Sequence, residues 1–271
     1  MKRKILFIVI IIFAIGISLS IITNFRLVNV AGNLLYKPDS STSTTRAMGI
    51  VVVPYFGPEN PQWNVIFQLA ERYPGTIKYV IINPCSGPCD TPLSDDWQQL
   101  ISTLQSKGIR TLGYIFNDSQ SITNIDYYMK KPSVPTNGIF FDNEGSTNNL
   151  ANFKRYADYV HSLGGTVYIN PGYNYPQVID YVKSGMADVA NIHEFGIDMQ
   201  DYITGSYDVP SSKISVIVGN VYSVSDMQVQ LAGISSKGIG LVYIYAKSYG
   251  SLPPYFNEEV QKVASTPILK H

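Results

Sequence analysis

From residue 49 onward the chain alternates strand-like runs with helix-like segments, and this alternation constrains its fold more than any other feature. Helical spacing of apolar residues is clear in 63–73, 96–108, 149–165 and 224–238, and weaker after the third and sixth runs. Apolar strands that alternate with helices indicate parallel strands covered by helices, and eight such units in about 220 residues predict a closed (β/α)8 TIM-like barrel. The eight runs, rich in β-branched and aromatic residues, are GIVVVPYF (49–56), KYVIINP (78–84), RTLGYIF (110–116), GIFFDNE (138–144), TVYINPG (166–172), VANIHEF (189–195), SVIVGNV (215–221) and LVYIYA (241–246).

Almost every predicted strand ends in a side chain that can form hydrogen bonds. In such barrels the active site is built at the C-terminal ends of the strands. A barrel without a function there would also have polar strand ends, but these would more often be short turn-forming residues than Glu and Tyr. We therefore predict a functional rim. Its strand-end residues are Tyr55, Asn83, Tyr114, Asp142 with Glu144, Asn170, Glu194, Asn220 and Tyr245.

Asp142 and Glu194, which end the fourth and sixth runs, are the candidate acid pair. Strands two apart in a sheet are separated by about 10 Å, so inward-leaning side chains can bring two carboxyl groups within the ~5–9 Å used by glycosidases. One carboxylate would attack or stabilise an oxocarbenium-like centre, and the other would protonate the leaving oxygen. Two acids on one rim also suit a divalent cation, although no His-rich or Asp-x-Asp cluster accompanies them.

The amino-acid composition narrows the classes of ligand. Lys plus Arg equals Asp plus Glu at 20 each, and no Lys/Arg block occurs beyond the first four residues. This balance argues against a nucleic-acid partner. No glycine-rich phosphate-binding motif follows any run, so no nucleotide and no other cofactor is predicted. The 20 tyrosines combine an apolar ring with a hydroxyl, which suits ligands such as sugars.

The N-terminal residues predict a membrane segment. A cationic start precedes the uncharged stretch ILFIVIIIFAIGISLSII (5–22), which is just long enough to span a bilayer. We interpret 1–24 as a retained signal anchor, 25–47 as a Ser/Thr-rich linker and 48–271 as the barrel domain. The cationic flank should stay in the cytoplasm, which places the domain outside, at the cell surface. A cleaved signal peptide, giving a secreted protein, and a core helix of the domain are the alternatives.

The only two cysteines, Cys85 and Cys89, lie in NPCSGPCD after the second run. In an exported protein the intervening Gly-Pro turn would allow a small disulfide, and free thiols are the alternative. Among other titratable residues, His193 is a candidate pocket residue, although a single histidine at a strand end is more often packed in the scaffold. Glu258 and Glu259, in the last helical segment, are predicted to be solvated surface charges.

Six stretches together resemble the spherulin-4 family (spherulation-specific family 4), a group of glycoside hydrolase-like barrels related to polygalactosaminidases. The resemblance covers about 50–200 in matching order and implies an exported hydrolase of α-linked amino-sugar polymers, chiefly galactosaminoglycan-type chains. The matching stretches are VVPYFGPENPQW (52–63), INPCSGPCD (82–90), LGYIF (112–116), GIFFDNE (138–144), INPG (169–172), and AD followed by the strand ending HEF (187–195).

The resemblance also implies roles for individual residues. Asp142 matches the proposed nucleophile or stabilising carboxylate, and Glu194 matches the general acid/base. The pocket-lining positions, which would hold sugar hydroxyls, are matched by Tyr55, Asn83, Tyr114 and Asn170.

The chain departs from the family at residue 143. Where the family has Asp-Glu, this chain has Asp142-Asn143, and a glutamate follows as Glu144. An asparagine forms hydrogen bonds but does not titrate. Either Glu144 replaces the missing acid through a local bend, or the missing acid never carried the proton, or the activity is altered or lost.

The sequence thus predicts an extracellular, membrane-anchored glycoside hydrolase that cleaves an amino-sugar-containing polysaccharide with Asp142 and Glu194, with Glu144 as a third candidate acid. A non-catalytic carbohydrate-binding or cell-envelope structural protein on the same fold is the alternative, and a divalent-metal hydrolase is a further one. The candidate substrate-binding residues are Tyr55, Asn83, Tyr114, Asn143, Asn170, His193 and Tyr245.

Overall fold

A computed structural model describes residues 48–116, 121–143, 150–173, 175–194 and 207–268 of the chain. At its centre eight parallel strands form a closed barrel, in which each strand pairs with its sequence neighbours and the last pairs with the first. The predicted barrel is confirmed. Its strands are β1 (Gly49–Val52), β2 (Ile77–Ile82), β3 (Arg110–Phe116), β4 (Gly138–Asp142), β5 (Thr166–Asn170), β6 (Val189–Glu194), β7 (Ile214–Val218) and β8 (Leu241–Ile244).

Helices lie in the connections between successive strands. The third connection, where the helical period is weak, contains a helix, whereas the described part of the sixth connection contains only a 3-10 turn, at Ser211–Lys213. A second 3-10 turn, Pro176–Val178, precedes the helix of the fifth connection. The helices of the described residues are α1 (Gln62–Arg72), α2 (Asp95–Ser106), α3 (Ile122–Met129), α4 (Leu150–Ser162), α5 (Ile179–Lys183), α6 (Val224–Ser236) and α7 (Phe256–Ser265).

Serine side chains cap three of these helices at their N-termini. Ser94, Ser121 and Ser223 each accept a hydrogen bond from the backbone N–H three residues further on, at 3.4, 3.1 and 3.1 Å. The first helical turn leaves such N–H groups without intrahelical partners, so the caps stabilise the start of α2, α3 and α6. They also fix where the preceding loops end, and these loops follow the C-terminal ends of strands.

The strands are buried on both of their faces. Every residue of β5 and of β7 is buried, as is typical of parallel strands that have helices on one side and the barrel interior on the other. In β3 the close approach of a helix requires a glycine, because a Cβ at Gly113 would lie 2.2 Å from the ring of Tyr128 on α3. This dense packing provides a rigid support for the strand ends.

The register at the C-terminal rim aligns the candidate residues. Asp142 at the end of β4 pairs with Asn170 at the end of β5. Between β6 and β7 the pairing is irregular: Asn191 pairs with Ser215 and Glu194 pairs with Ile217, so β6 advances three residues while β7 advances two. This is a β-bulge, which reverses the alternation of side chains along β6. As a result Asn191 and Glu194 share one face of the strand.

Glu259 on α7 is buried, so the prediction that it is a surface charge is wrong. Its side chain is 0% exposed, whereas Glu258 beside it is exposed. The Ile244 N–H at the end of β8 donates a hydrogen bond of 2.9 Å to Glu259 Oε1. Burial raises the pKa of this carboxyl to about 8, although the bond from Ile244 lowers it. The prediction failed because the pattern of charges along a helix does not show that one of them accepts a hydrogen bond from the end of a strand.

The predicted anchor (1–24) and linker (25–47) lie outside the described residues. Across the part of the chain that the structure describes, no helix is both long and apolar enough to cross a bilayer.

Candidate active site

The two candidate acids meet on the amide of Asn170. Asp142 ends β4, Glu194 ends β6, and Asn170 ends the strand between them. Asn170 Nδ2 donates hydrogen bonds to Asp142 Oδ1 (2.7 Å) and to Glu194 Oε2 (2.6 Å). Because both oxygens bind one nitrogen, their separation cannot exceed the sum of these distances, about 5.3 Å. The strand-end acids are therefore a closely spaced pair.

The second oxygen of each acid accepts a hydrogen bond from a tyrosine. Tyr114 on β3 donates to Asp142 Oδ2, and Tyr249, in the segment after β8, donates to Glu194 Oε1, both at 2.5 Å. Both acids are thus held from two sides, which fixes their orientation.

The surroundings of the two acids differ in how they affect ionisation. Burial raises the pKa of Asp142, while hydrogen bonds from Tyr114, from Asn170 and from the Asn143 backbone N–H lower it. Burial also raises the pKa of Glu194, and bonds from Tyr249 and Asn170 lower it, but the negative charge of Asp142 raises it further. The charge of Asp142 therefore helps Glu194 to retain a proton.

Asn143 is a turn residue that ends β4. Its φ of 54° lies in the left-handed region, which asparagine tolerates better than most residues. Its carboxamide lies beside Gly172, where an added Cβ would be 3.6 Å from Asn143 Oδ1. The left-handed backbone at residue 143 thus favours asparagine over most other residues. The backbone N–H of Asn143 donates a hydrogen bond to the Asp142 carboxylate. Glu144, the third candidate acid, lies outside the described residues.

Tyr55, in the loop after β1, lies between the two tyrosines that hold the acids. Its ring centroid is 6.1 Å from that of Tyr114 and 5.3 Å from that of Tyr249. The side chain is 42% exposed. Partial burial raises the pKa of Tyr55 to about 12, although polar contacts with Tyr114 and Asn83 lower it. Among the three tyrosines that the sequence predicts for the site, Tyr55 is thus the one whose ring is exposed enough to contact a ligand.

Asn83 holds the cysteine-containing loop against the rim. Its Oδ1 accepts a hydrogen bond of 2.8 Å from the Gly87 N–H, and Gly87 has a φ of 135° that favours glycine. Cys85 and Cys89 are joined by a disulfide, with their Cα atoms 5.2 Å apart. The loop after β2 is therefore closed on itself and fastened to a strand-end side chain.

Two other predicted site residues are buried behind the mouth. His193 is 2% exposed and lies within β6. Tyr245 is 5% exposed, and its ring packs 4.5 Å from that of Tyr249. A Cβ at Gly219 would lie 2.5 Å from the Tyr245 hydroxyl, so only glycine leaves room for this ring. Tyr245 thus supports Tyr249 rather than facing the opening.

Sequence reasoning missed four residues that bear on the acids. Tyr249 carries no strand-end signal, because it follows β8 by several residues. Tyr168, Asn191 and Ser215 lie inside strands and are fully or almost fully buried. For the last two a signal was present, since an amide and a hydroxyl interrupt otherwise apolar runs, and buried polar groups need hydrogen-bond partners.

Comparisons with known proteins agree with the barrel. In its fold the chain is similar to Aspergillus clavatus Sph3, solved in complex with GalNAc, with a TM-score of 0.66 and 20% identity over 81% of this chain and 98% of that one. It is also similar to the Bacillus cereus spore cortex-lytic enzyme SleL (TM-score 0.51, 12% identity, 84% and 76% covered) and to an endo-beta-N-acetylglucosaminidase from Cordyceps militaris (TM-score 0.51, 9% identity, 83% and 92% covered). At these identities the likeness shows the fold.

Sequence comparison identifies the family. No curated protein matches the chain. The model of spherulation-specific family 4 matches residues 49–263, which contain all eight strands and almost all of α7. The chain therefore belongs to spherulation-specific family 4.

Proposed function

We propose that this protein is a glycoside hydrolase that cleaves an amino-sugar-containing, galactosaminoglycan-like polysaccharide. The observation that carries the proposal is the acid pair, Asp142 and Glu194, held by one amide at the C-terminal rim of the barrel. Active sites of such barrels are built at this rim. A pair of carboxyl groups in unequal environments is what glycosidic cleavage requires.

Asp142 and Glu194 would divide the chemistry between them. Glu194, whose pKa is raised by burial and by the charge of Asp142, donates its proton to the glycosidic oxygen as that bond breaks. Asp142, whose anion is stabilised by three hydrogen bonds, attacks the anomeric carbon and forms a glycosyl ester. Ionised Glu194 then removes a proton from water, whose oxygen displaces Asp142 and releases the sugar, which returns both acids to their starting states.

The spacing of the acids favours this two-step, retaining route. Carboxyl groups about 5–5.5 Å apart are typical of retaining enzymes, and inverting enzymes need about 6.5–9.5 Å to admit a water. Asp142 Oδ1 and Glu194 Oε2, the two oxygens that share Asn170, are at most about 5.3 Å apart, which is shorter than the separation of inverting enzymes.

The choice of substrate is supported by family membership and by the rim. The similar Sph3 structure contains GalNAc. Tyr55, Tyr173 and Tyr222, which follow β1, β5 and β7, are 42, 40 and 63% exposed. Exposed rings at the same end of the barrel as the acids suit the apolar faces and hydroxyls of sugars. We infer a site that contacts several sugar units of the chain, including units that do not flank the bond that is cleaved.

The test is hydrolysis by the full chain of a panel of amino-sugar polymers, followed as release of reducing ends. We expect Asp142→Asn and Glu194→Gln each to abolish detectable release. Asp158→Asn, at an exposed position on α4, is the matched control and should retain full activity. If the wild-type chain releases nothing from any polymer, or if either acid variant is as active as the wild type, the proposal is wrong.

The location of the enzyme is part of the proposal. The cationic and then apolar N-terminal sequence supports an anchor that holds the barrel outside the cell, at the surface where such a polysaccharide would lie. Protease digestion of intact cells would test this placement. Loss of the barrel without cell lysis supports it, and full protection contradicts it.

A carbohydrate-binding protein without activity is the second candidate, and Asn143 in place of the family acid favours it. This alternative predicts that the full chain binds amino-sugar oligomers, that binding survives Asp142→Asn, and that long incubation yields no product. Calorimetry of binding and product analysis on the same sample separate the two candidates.

A further inference from the structure

Behind the acid pair, four buried polar side chains form a hydrogen-bonded line, which we call the polar line (Tyr168, Ser215, Asn191 and Asn170). Tyr168 Oη donates to Ser215 Oγ at 2.5 Å, and Ser215 Oγ donates to Asn191 Oδ1 at 3.0 Å. Asn191 Nδ2 then donates to Asn170 Oδ1 at 2.8 Å. The four residues are 0, 1, 0 and 1% exposed. The line thus connects the barrel interior to the amide that holds both acids.

The donors and acceptors of the polar line follow a single direction. Because Tyr168 donates to Ser215 Oγ, the serine must donate its own proton to another acceptor. Two acceptors are in reach, and Asn191 Oδ1 at 3.0 Å is nearer than the Ala190 carbonyl oxygen at 3.4 Å. With its oxygen facing Ser215, Asn191 turns its nitrogen to Asn170 Oδ1 and to the His193 carbonyl oxygen (2.9 Å). Each hydrogen bond therefore determines the orientation of the next group.

The orientation of Asn170 matters because an asparagine amide keeps almost the same shape when it is flipped. In the flipped orientation its oxygen would face Asp142 and Glu194, so both acids would lose their shared donor and the anion of Asp142 would meet a partial negative charge. The donor on Asn191 excludes this flip, since it would then face the NH2 group of Asn170 instead of an acceptor. The Gly172 N–H, at 3.3 Å from Asn170 Oδ1, acts in the same sense.

We propose that Asn191 is a positioning residue for the acid pair, and that Ser215 and Tyr168 hold it in that role. The proposal rests on the proposed glycosidase function, because it assigns the polar line to the work of Asp142 and Glu194. Asn191 does not reach the acids itself and acts through Asn170. Its backbone position depends on the bulge in β6, which places Asn191 and Glu194 on the same face of the strand.

Loss of the polar line has a predictable effect on ionisation. The bond from Asn170 lowers the pKa of Asp142 and that of Glu194. When Asn170 is no longer held with its nitrogen toward the acids, both pKa values rise. The acidic limb of the pH–rate profile, where Asp142 ionises, and the alkaline limb, where Glu194 loses its proton, then both move to higher pH. A change that only loosened the barrel would lower the rate without moving either limb.

The experiment compares three full-chain variants with the wild type. Asn191→Asp places an acceptor opposite Asn170 Oδ1 and so favours the flip; we expect kcat to fall about 10- to 100-fold. Ser215→Ala and Tyr168→Phe add no charge and should also shift both limbs of the pH–rate profile to higher pH. Their losses of kcat should be smaller than that of Asn191→Asp, and the loss for Tyr168→Phe should be the smallest. Tyr128→Phe is the matched control, because that tyrosine is 0% exposed and its hydroxyl has no hydrogen-bond partner among the described residues.

A second readout does not need activity. Carboxyl 13C NMR of the same proteins reports the titration of Asp142 and Glu194 directly. Should Asn191→Asp fail to fold, Ser215→Ala and Tyr168→Phe decide the matter. Variants that unfold at the wild-type temperature and keep wild-type titrations and pH limbs would overturn the proposal. If the wild type hydrolyses nothing, the proposed function fails, and the NMR titrations still decide whether the polar line controls the acids.

Discussion

Tyr249 and Glu194 are 55 residues apart in the chain, and at the barrel mouth the tyrosine hydroxyl donates a hydrogen bond of 2.5 Å to Glu194 Oε1. Tyr249 follows β8 and Glu194 ends β6, so the contact passes over the end of β7. On the other side of Asn170, Tyr114 makes the corresponding contact with Asp142. Each acid therefore has its own tyrosine donor, and each donor can be removed separately.

Removal of the Tyr249 hydroxyl should move the alkaline limb of the pH–rate profile. The hydrogen bond from Tyr249 lowers the pKa of Glu194, so Tyr249→Phe raises that pKa and keeps Glu194 protonated to higher pH. Because a hydrogen bond to a charged group contributes about 1.5–3 kcal/mol, we expect a shift of about one pH unit or more. The measurement is kcat/KM against pH. Tyr159→Phe, which removes a tyrosine-to-carboxylate bond to Asp126 away from the mouth, is the control and should leave both limbs in place.

Removal of the Tyr114 hydroxyl should move the acidic limb instead. Tyr114 lowers the pKa of Asp142, so in Tyr114→Phe the carboxyl of Asp142 stays protonated to a higher pH and the acidic limb moves upward by a similar amount. Measured side by side, the two variants assign one limb to each acid. If Tyr114→Phe moved the alkaline limb and Tyr249→Phe the acidic limb, the roles of Asp142 and Glu194 would have to be exchanged.

Glu259→Gln should stabilise the protein at neutral and alkaline pH. The folded chain holds the Glu259 proton up to about pH 8, whereas the unfolded chain loses it near 4.3. The free energy of unfolding of the wild type therefore falls as the pH rises between these two values. Glutamine stays neutral at every pH, so the variant avoids this loss of stability, which is on the order of a few kcal/mol. Urea unfolding at pH 4, 7 and 9 should show variant and wild type differing least at pH 4 and most at pH 9.

Glu258→Gln is the matched control for that experiment, because Glu258 is the exposed neighbour of Glu259 on α7. Its unfolding free energy should follow that of the wild type at all three pH values. A Glu259→Gln protein whose advantage did not grow with pH would show that Glu259 is ionised in the folded state at neutral pH.

Tyr222→Ala should weaken the binding of long substrates. Tyr222 follows β7, is 63% exposed, and its hydroxyl donates to Asn220 Oδ1 at 3.2 Å, which steadies the ring at the rim. Loss of an aromatic contact of about 0.5–1.5 kcal/mol corresponds to a roughly 2- to 12-fold higher KM on polymer. Activity on a short oligomer should change less. Val229→Ala removes an exposed apolar side chain (67%) from α6 and should leave KM as it is.

The barrel was predictable because its signal is distributed over the whole chain. All eight strands form where β-branched and aromatic runs occur, and the four clear helical segments are helices. Several predicted strands extend too far, however. Asn143 and Asn220 follow β4 and β7 with φ of 54° and 63°, so the chain turns before the predicted strand ranges 138–144 and 215–221 end. Left-handed backbone at a strand end is a local choice that hydrophobic periodicity does not show.

The acid pair was predictable in part, and the way it is held was not. Asp142 and Glu194 end predicted strands, so their common rim follows from the fold. The bridge by Asn170 depends on the register of β4, β5 and β6, which no short pattern encodes. Tyr249 lies in a connection, and its contact with Glu194 exists only after the barrel has closed. Contacts between distant segments are set by the assembled backbone.

The bulge in β6 makes the position of Glu194, the proposed proton donor, depend on the number of residues in the strand as well as on their identity. With regular alternation, Asn191 and Glu194 would point to opposite sides of the barrel wall, and the carboxylate would enter the helix layer. Transfer of Asn191 and Glu194 at this spacing into a barrel with a regular sixth strand would therefore require the insertion of one residue, because substitutions at the same two positions would leave the glutamate on the wrong face. Deletion of a single residue between Asn191 and Glu194 is the corresponding way to disable the site while every side chain that forms it is retained.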